Sequence, residues 1–231
     1  MPTVLITGSN RGLGLEWCRQ YVEAGWRVLA TCRFPAEAKA LQQLRNENNA
    51  LTLHRLDVTN HDQIHTLAQE LADHPIDLLI NNAGVYFEKY VRPDQTTDYE
   101  AWSHTFSVNS IGAMRVSRAF LDHLRRSQKR LIVAITSHMG SIAEIENPGS
   151  YFYRSSKAAL NAAMKGFSLE LKPLQIGVLL LHPGWVRTQM GGPDGLLSPQ
   201  ESVENMRNRV DTFTLADSGR FLRYDGHEIP W

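Results

Sequence analysis

Short apolar runs alternate along this chain with longer segments of mixed polarity. Six runs rich in leucine and β-branched residues have the length of buried strands; they lie at 4–7, 27–31, 51–58, 76–84, 130–137 and 176–184. The segments between and after them repeat apolar residues with a helical period. This period predicts helices near 12–24, 35–48, 61–73, 98–126, 152–171 and 199–211.

The alternation of strands with helices is typical of a parallel sheet, because parallel neighbours need crossover connections and right-handed crossovers place helices on both faces. We therefore predict an α/β fold with a doubly wound, Rossmann-like and mostly parallel sheet of about seven strands. No repeat, charge block or low-complexity tract interrupts the pattern. We expect residues 1–231 to form a single domain.

Charge and hydropathy exclude several classes of partner. The chain has 24 basic and 24 acidic residues, so it lacks the electrostatic footprint of a protein that binds nucleic acid or an anionic membrane. Its apolar runs are far shorter than the roughly 18 residues of a membrane span. No charged leader precedes the first apolar run, and Cys18 and Cys32 are too far apart for a CxxC site. We expect a cytoplasmic protein that acts on small molecules.

Metal and hydrolase chemistry are not expected. The chain has no HExxH motif, and His61 and His65, four residues apart on a predicted helix, have no third ligand nearby in sequence. Ser137 lacks the GxSxG context of a hydrolase nucleophile. Glu144 and Glu146 lie in an irregular loop, which does not favour a working pair of carboxylates.

Four strand-to-loop junctions are unusual, and ligands of such sheets bind beyond the carboxyl ends of the strands. The junctions read TGSNRGLG at 7–14, NNAG at 81–84, TSHMGS at 136–141 and HPGWVRT at 182–188. The glycines of the first permit a tight turn close to a pyrophosphate, whose charge the following helix N-terminus attracts. A glycine-rich junction of this kind also occurs simply as a turn.

A tyrosine and a lysine are paired in the segment YFYRSSKAALNAAM at 151–164. Tyr153 precedes Lys157 by four residues, so both lie on one face of the predicted helix. An adjacent ammonium favours the phenolate and would lower the pKa of Tyr153. Tyr151 has Ser155 at the same spacing, and we expect it to be a wall of the pocket. Such pairs also occur by chance on surface helices, so the context decides.

Seven motifs provide that context: TGSNRGLG, LDVT, NNAG, VNSIGA, ITSHMGS, YRSSK and PGWVRT. In order and approximate spacing they resemble the short-chain dehydrogenase/reductases over nearly the whole chain. Further segments are similar to the C-factor and sniffer-like carbonyl reductase branch, namely TCRFPAEA, HMGSI, PGWVRTQMGGP and YDGHEIPW. The resemblance implies reduction of an aldehyde, ketone or quinone. The alternative is a nucleotide-binding signalling protein of the C-factor type with incidental turnover.

The resemblance also implies roles for individual residues. Tyr153 would be the general acid, Lys157 would tune it and contact the nicotinamide ribose, Ser137 would bind the reacting oxygen, and Asn109 would hold a water of a proton path. A structural amide is the other interpretation of Asn109, and Ser141 is not the expected catalytic serine. The implied cofactor contacts are Gly8, Asn10, Arg11, Gly12, Leu13, Gly14, Arg33, Asp57, Val58, Asn82, Ala83, Gly84, Tyr153, Lys157, Pro183, Gly184, Val186 and Thr188.

The substrate pocket is expected to be fairly open, because only a short loop at about 184–199 is available to cover it. The candidate walls are mostly apolar or aromatic and suit a carbonyl compound with an apolar or aromatic body. They are Val85, Tyr86, His138, Met139, Tyr151, Trp185 and Met190.

The second predicted strand indicates the choice of cofactor. NAD-selective sites normally place a carboxylate at the end of this strand, but here that place holds Cys32 and no carboxylate occurs from Val28 to Phe34. Arg33 follows directly and Arg11 lies in the glycine turn, where two guanidinium groups would bind a 2′-phosphate. We therefore expect NADPH over NADH. In the family the position of Asp57 contacts the adenine ring.

Small residues on the helix of Tyr153 suggest an oligomer. Ser155, Ala159, Ala162, Gly166 and Leu169 form a stripe turned away from the catalytic residues. Packing within one subunit is one interpretation. The family often joins subunits here, which implies a homodimer or homotetramer through the helices at 98–126 and 152–171.

Overall fold

Among the residues that the structure describes, seven strands form one parallel sheet, as the alternation of the sequence predicts. The computed structural model describes residues 1–88 and 96–231. Along the sheet the order is β3-β2-β1-β4-β5-β6-β7, and every neighbouring pair is parallel. The strands are β1 (Thr3–Thr7), β2 (Arg27–Cys32), β3 (Leu51–Arg55), β4 (Leu78–Asn81), β5 (Leu131–Ile135), β6 (Gly177–His182) and β7 (Phe221–Arg223).

In the described residues, eight α-helices accompany the sheet. They are α1 (Gly12–Glu23), α2 (Lys39–Glu47), α3 (His61–Glu70), α4 (Tyr99–Phe106), α5 (Ala113–Ala119), α6 (Leu121–Arg125), α7 (Tyr151–Leu171) and α8 (Pro199–Asp211). The helix predicted at 98–126 is divided, because a π-helical segment, Ser107–Gly112, joins α4 to α5 and the chain changes direction again at Phe120.

Some strand ends differ from the prediction. The strands predicted at 51–58 and 76–84 end early, at Arg55 and Asn81. The residues that follow these two strands line a cavity at the carboxyl ends of the strands. Strand β7 lies outside the six predicted runs, since its three residues are too few to show a pattern.

Both faces of the sheet are covered by helices. Side chains alternate along β1, so Leu5 joins one hydrophobic core while Val4 and Ile6 join the other. Helices α3, α5 and α7 contribute to the core of Leu5, and α1, α2 and α8 contribute to the core on the opposite face. Helix α7 can therefore carry its first turn to the carboxyl edge of the sheet while its later turns are anchored in the core.

The carboxyl ends of β1 and β4 lie side by side, where the strand order changes direction. This switch point is the usual ligand site of a doubly wound sheet. Within the described ranges, we find no helix long and apolar enough to cross a bilayer.

Candidate active site

The turn after β1 is a cradle that side chains would fill. Gly8 and Gly12 have left-handed backbones, with φ angles of 68° and 53°. A Cβ atom at Gly14 would lie 2.1 Å from the Gly8 carbonyl oxygen, and one at Gly8 would lie 2.9 Å from the Ala83 Cα. The Asn82 amide donates to the carbonyl oxygens of Thr7 (2.9 Å) and Gly8 (3.2 Å). This geometry fits the close approach of a dinucleotide pyrophosphate to a helix N-terminus.

A cavity of about 710 Å³ lies over this turn. Sixteen of the predicted cofactor residues line it, namely Gly8, Asn10, Arg11, Gly12, Leu13, Gly14, Arg33, Asp57, Val58, Asn82, Ala83, Gly84, Tyr153, Lys157, Pro183 and Thr188. The structure thus brings together residues from five separate loops.

Gly184 and Val186, also predicted as cofactor contacts, are not in the lining of this cavity. Gly184 has a φ angle of 82°, and a Cβ there would lie 2.6 Å from Leu197 Cδ1. Val186 is buried and forms an isolated bridge with Leu197. Both residues therefore lie against Leu197 within the 184–199 loop, and their contact with the cofactor stays a prediction.

The cavity lining also contains residues that the sequence did not predict. They are Cys32, Leu56, Phe87, His104, Val108, Ile135, Thr136, Arg187 and Gln189. Gln189 has a clear structural reason, because its side-chain oxygen accepts a hydrogen bond from Arg11 (2.7 Å) and ties the 184–199 loop to the glycine turn. Such a contact between residues far apart in the chain leaves no local signal in the sequence.

Tyr153 lies on the first turn of α7 and faces the cavity. Its ring stacks on Tyr86, with centroids 4.4 Å apart and 23° between the planes. Burial raises the pKa of Tyr153 to about 12; a hydrogen bond with the Ser137 side chain opposes this rise, whereas Tyr86 adds to it. The expected lowering of this pKa by Lys157 is therefore wrong for this structure, because the loss of hydration on burial has the largest effect and Ser137, not Lys157, opposes it.

Lys157 lies one turn further along α7 and is 4% exposed. Its ammonium donates to the Ile135 carbonyl oxygen (2.8 Å), and Nζ lies 5.7 Å from the centroid of the Tyr153 ring. Burial lowers the pKa of Lys157 to about 8. This value is close to neutrality, where a group can both hold and release a proton.

Asn109 lies in the π-helical segment and is hydrogen-bonded to the loop after β4. Its amide donates to the Val85 carbonyl oxygen (3.0 Å) and to Ser156 Oγ (2.9 Å), while Oδ1 accepts from the Val85 N–H (2.8 Å). Asn109 is outside the cavity lining. These contacts fit the structural interpretation of its amide, and the proton path through a water at this residue stays a prediction.

Ser137 lies two residues after the end of β5 and is buried. Its hydroxyl accepts from the Met139 N–H (3.1 Å), and its side chain lies close enough to the Tyr153 phenol to lower the pKa of that group. The Ser141 hydroxyl instead contacts the Trp231 carbonyl oxygen (3.5 Å) and the Glu144 N–H (3.3 Å). Ser137, and not Ser141, is thus the serine beside the Tyr153 phenol, although Ser137 is not part of the cavity lining.

Only some of the predicted walls line the cavity. Val85, Tyr86 and Met190 do, together with Phe87. His138, Met139, Tyr151 and Trp185 are outside this lining; Tyr151 is 56% exposed at the start of α7. His138 Nδ1 lies 3.2 Å from Nε2 of the buried His182.

The two predicted phosphate-binding arginines belong to the cavity lining. Arg11 and Arg33 both line it and are exposed. Asp57 is held in place by its own turn, because its Oδ1 accepts from the Thr59 N–H (2.9 Å) and hydroxyl (2.7 Å). Burial raises the pKa of Asp57, but the Thr59 hydrogen bonds and the charges of Arg33 and His104 leave it below its ordinary value.

A metal centre has no support in the described parts of the chain, where no three histidine, cysteine, aspartate or glutamate side chains are grouped as ligands. The parallel sheet, the glycine cradle and the Tyr153–Lys157 pair instead define a Rossmann-type nucleotide-binding protein with groups placed for proton transfer.

The family follows from comparison with known proteins. The model of the short chain dehydrogenase family matches residues 2–195, and the chain belongs to this family. It is 45% identical over 157 residues to the C-signal protein of Myxococcus xanthus, a match that covers 68% of this chain and 93% of that protein.

Two solved structures share the whole fold. The carbonyl reductase Sniffer of D. melanogaster is 31% identical, with a TM-score of 0.93 and 100% of both chains covered. The NADPH-bound carbonyl reductase from chicken fatty liver is 31% identical, with a TM-score of 0.91 and coverage of 100% of this chain and 99% of that one. These similarities confirm the predicted family and its C-factor and sniffer-like branch.

Proposed function

We propose that this protein is an NADPH-dependent reductase that converts an aldehyde, ketone or quinone to the alcohol, with Tyr153 as the general acid. The observation that carries the proposal is the meeting of Tyr153, Lys157 and Ser137 beside a cavity with a glycine cradle. The similarity to Sniffer and to the NADPH-bound chicken enzyme supports the same reaction.

Different cavity residues would bind different parts of the cofactor. The glycine turn and the Asn82–Gly84 segment would hold NADPH, and Arg11 and Arg33 would select it through its 2′-phosphate. This cofactor supplies the hydride for carbonyl reduction. Lys157 Nζ would lie 3.8 Å from a Cβ at Gly84, so the ammonium and the Asn82–Gly84 segment are placed to act on one ligand.

The pKa values of Tyr153 and Lys157 indicate which group would donate the proton and which would replace it. With a pKa of about 12, Tyr153 keeps its proton at neutral pH and releases it only to an oxygen that becomes strongly basic, as a carbonyl oxygen does during reduction. The Ser137 hydroxyl, hydrogen-bonded to the same phenol, would bind and orient that oxygen. Lys157, with a pKa of about 8, is suited to resupply the proton from solvent.

The walls indicate a substrate with an apolar or aromatic body. Val85, Tyr86, Phe87 and Met190 face the cavity, and the formal charge of the chain is zero. A screen of NADPH oxidation with aldehydes, ketones, quinones and dicarbonyls would define the substrate.

The decisive experiment compares Tyr153→Phe with Tyr151→Phe. Loss of the general acid should lower kcat by at least about a hundredfold in Tyr153→Phe and leave NADPH binding largely intact. Tyr151→Phe removes an exposed phenol two residues away and should retain activity. Unchanged turnover in Tyr153→Phe would contradict the proposed mechanism.

The similarity to the C-signal protein favours a second candidate, a nucleotide-binding signalling protein with incidental turnover. Retention of Ser137, Asn109, Tyr153 and Lys157 together argues for the reductase, since a sensor has no need of the complete set. A screen that finds NADPH binding but no reduced carbonyl compound would favour the signalling role. The cytoplasmic location stays a prediction.

A further inference from the structure

The first turn of α7 receives its cap from a distant residue. A helix begins with N–H groups that have no partner within the helix. At the start of α7, Ser150 has a left-handed backbone (φ 55°), and its side chain makes no capping hydrogen bond to the described residues. The N–H of Tyr153 instead donates to Glu88 Oε1 at 2.8 Å. Glu88 belongs to the loop after β4, 65 residues away.

Glu88 is 8% exposed, which is unusual for a glutamate. Burying a carboxylate is costly unless hydrogen bonds and nearby positive charge compensate it. The N-terminus of α7 offers both, because its N–H groups carry partial positive charge and bond strongly to an anionic acceptor. The contact is therefore a built feature of the site rather than a chance surface contact.

The same loop also holds the ring of Tyr153. Tyr86 stacks on that ring, and the Tyr86 hydroxyl lies 2.5 Å from Ser150 Oγ, just before the helix. Tyr86 and Glu88 thus hold the side chain and the backbone of the same tyrosine. Tyr153 and Lys157 both lie on α7, whereas Ser137 belongs to the loop after β5. Fixing the first turn of α7 therefore sets the position of the phenol relative to Ser137.

We propose that Glu88 is a positioning residue for Tyr153, acting through the hydrogen bond to its backbone N–H. This inference rests on the proposed function, in which Tyr153 is the general acid. A displacement of about 1 Å at a reacting group can lower the rate about a hundredfold. Loss of the hydrogen bond between Glu88 and the Tyr153 N–H should therefore lower kcat. The acceptor oxygen, which glutamine retains, is the part of Glu88 that matters.

The test compares Glu88→Ala with Glu88→Gln in the full-length protein. Glu88→Ala should lower kcat about tenfold to a hundredfold. It should leave the Kd for NADPH nearly unchanged and raise the isotope effect with 4-deuterated NADPH, because the chemical step becomes slower. Amide hydrogen exchange of the segment containing Tyr153 should speed up. Glu88→Gln should restore both kcat and exchange protection to within about threefold, since its carbonyl oxygen still accepts the hydrogen bond.

Asp77 supplies a matched control at the opposite edge of the sheet. Its carboxylate also accepts backbone hydrogen bonds, from the N–H groups of Thr3 (2.9 Å) and Gln128 (3.2 Å). Asp77→Ala should lower thermal stability and leave kcat unchanged in the folded fraction. If Glu88→Ala does not fold, Glu88→Asp carries the test, because it keeps the charge but withdraws the oxygen by one methylene.

Three results would overturn the role of Glu88: full kcat in Glu88→Ala or in Glu88→Asp, equal losses in Glu88→Ala and Glu88→Gln, or hydrogen exchange at Tyr153 that is the same in all variants. Tyr153→Phe is measured in parallel. If it retains full activity, the proposed function fails; if it is inactive while every Glu88 variant is active, only the role of Glu88 fails.

Discussion

The rings of Tyr86 and Tyr153 stack at a centroid distance of 4.4 Å, between a loop after β4 and the first turn of α7. Tyr86 therefore has two functions at once, since it both lines the cavity and limits the movement of the phenol. A wall residue in direct contact with the general acid couples substrate shape to the position of the proton donor.

Removal of the Tyr86 ring should reduce catalytic efficiency. An aromatic pair contributes about 0.5 to 1.5 kcal/mol beyond burial, so Tyr86→Ala should lower kcat/KM by about twofold to tenfold through the loss of this contact. Tyr86→Phe is the control, because it keeps the stack and removes only the hydroxyl beside Ser150. Equal losses in the two variants would show that the hydroxyl, and not the stack, is responsible.

Stability should depend on pH through the buried lysine. The pKa of Lys157 is about 8 in the folded protein against an ordinary value of 10.5, so between these values the unfolded chain binds more protons. The free energy of unfolding therefore rises with pH in this window. Relative to Lys157→Met, the wild type should gain about 2 kcal/mol between about pH 7 and pH 9.5, measured by urea unfolding.

Tyr153 acts in the opposite direction at higher pH. Its pKa of about 12 exceeds the ordinary value of 10, so above about pH 10 the unfolded chain loses its proton first and stability falls. Measurements at or below pH 9.5 therefore isolate Lys157. A constant difference between the wild type and Lys157→Met over the lower window would contradict a buried, weakly basic lysine.

The sheet was predictable because its strands are buried on both faces and read as continuous apolar runs. Strand β7 escaped detection, since Phe221–Arg223 is too short for a pattern and its position depends on pairing with β6. The division of the 98–126 helix was equally hidden. Its π-helical segment ends at Gly112, which packs so closely on a distant part of the chain that a Cβ would lie 2.9 Å from Val58 Cγ2.

The site was predictable where a motif fixes both residue type and spacing, as for Tyr153 and Lys157. The electrostatic balance was not, because the pKa of Tyr153 depends on burial by residues distant in the chain. The role of Glu88 was not predictable from the sequence for the same reason. Its role depends on a contact with α7 across 65 residues, and no local pattern identifies such a contact.

The small-residue stripe on α7 remains a candidate subunit interface. Leu169 is 65% exposed, and a Cβ at Gly166 would meet no atom within 4 Å among the described residues. Ser155 is partly used within the subunit, because its hydroxyl accepts from the Trp102 indole N–H (2.9 Å). Ala162, Gly166 and Leu169 are exposed and could pack against a second copy of the chain, whereas Ala159 is half-buried.

We predict a homodimer or homotetramer that Ala162→Arg dissociates, because a long charged side chain would separate closely packed helices. Light scattering of the wild type should give two or four times 26.1 kDa, and the variant should give a lower mass. Gln43→Arg places the same side chain on the exposed face of α2 and should leave the mass unchanged. A wild-type monomer at micromolar concentration would contradict the interface.

Selection of NADPH should depend on Arg33. It lines the cavity next to Cys32, where an NAD-selective site would have a carboxylate. A charge-assisted hydrogen bond contributes about 1.5 to 3 kcal/mol, so Arg33→Ala should lower kcat/KM for NADPH about tenfold to a hundredfold. NADH has no 2′-phosphate, and its kcat/KM should hardly change.

Arg55 distinguishes recognition of the phosphate from a general effect of positive charge. It pairs with Cys32 in the sheet register, one strand from Arg33, and is exposed, but it lies outside the cavity. Arg55→Ala removes the same charge from the same edge of the sheet and should preserve the NADPH preference, because a screened surface charge acts weakly at this range. The prediction fails if the wild type prefers NADH, if Arg33→Ala weakens both cofactors equally, or if both arginine variants lose selectivity alike.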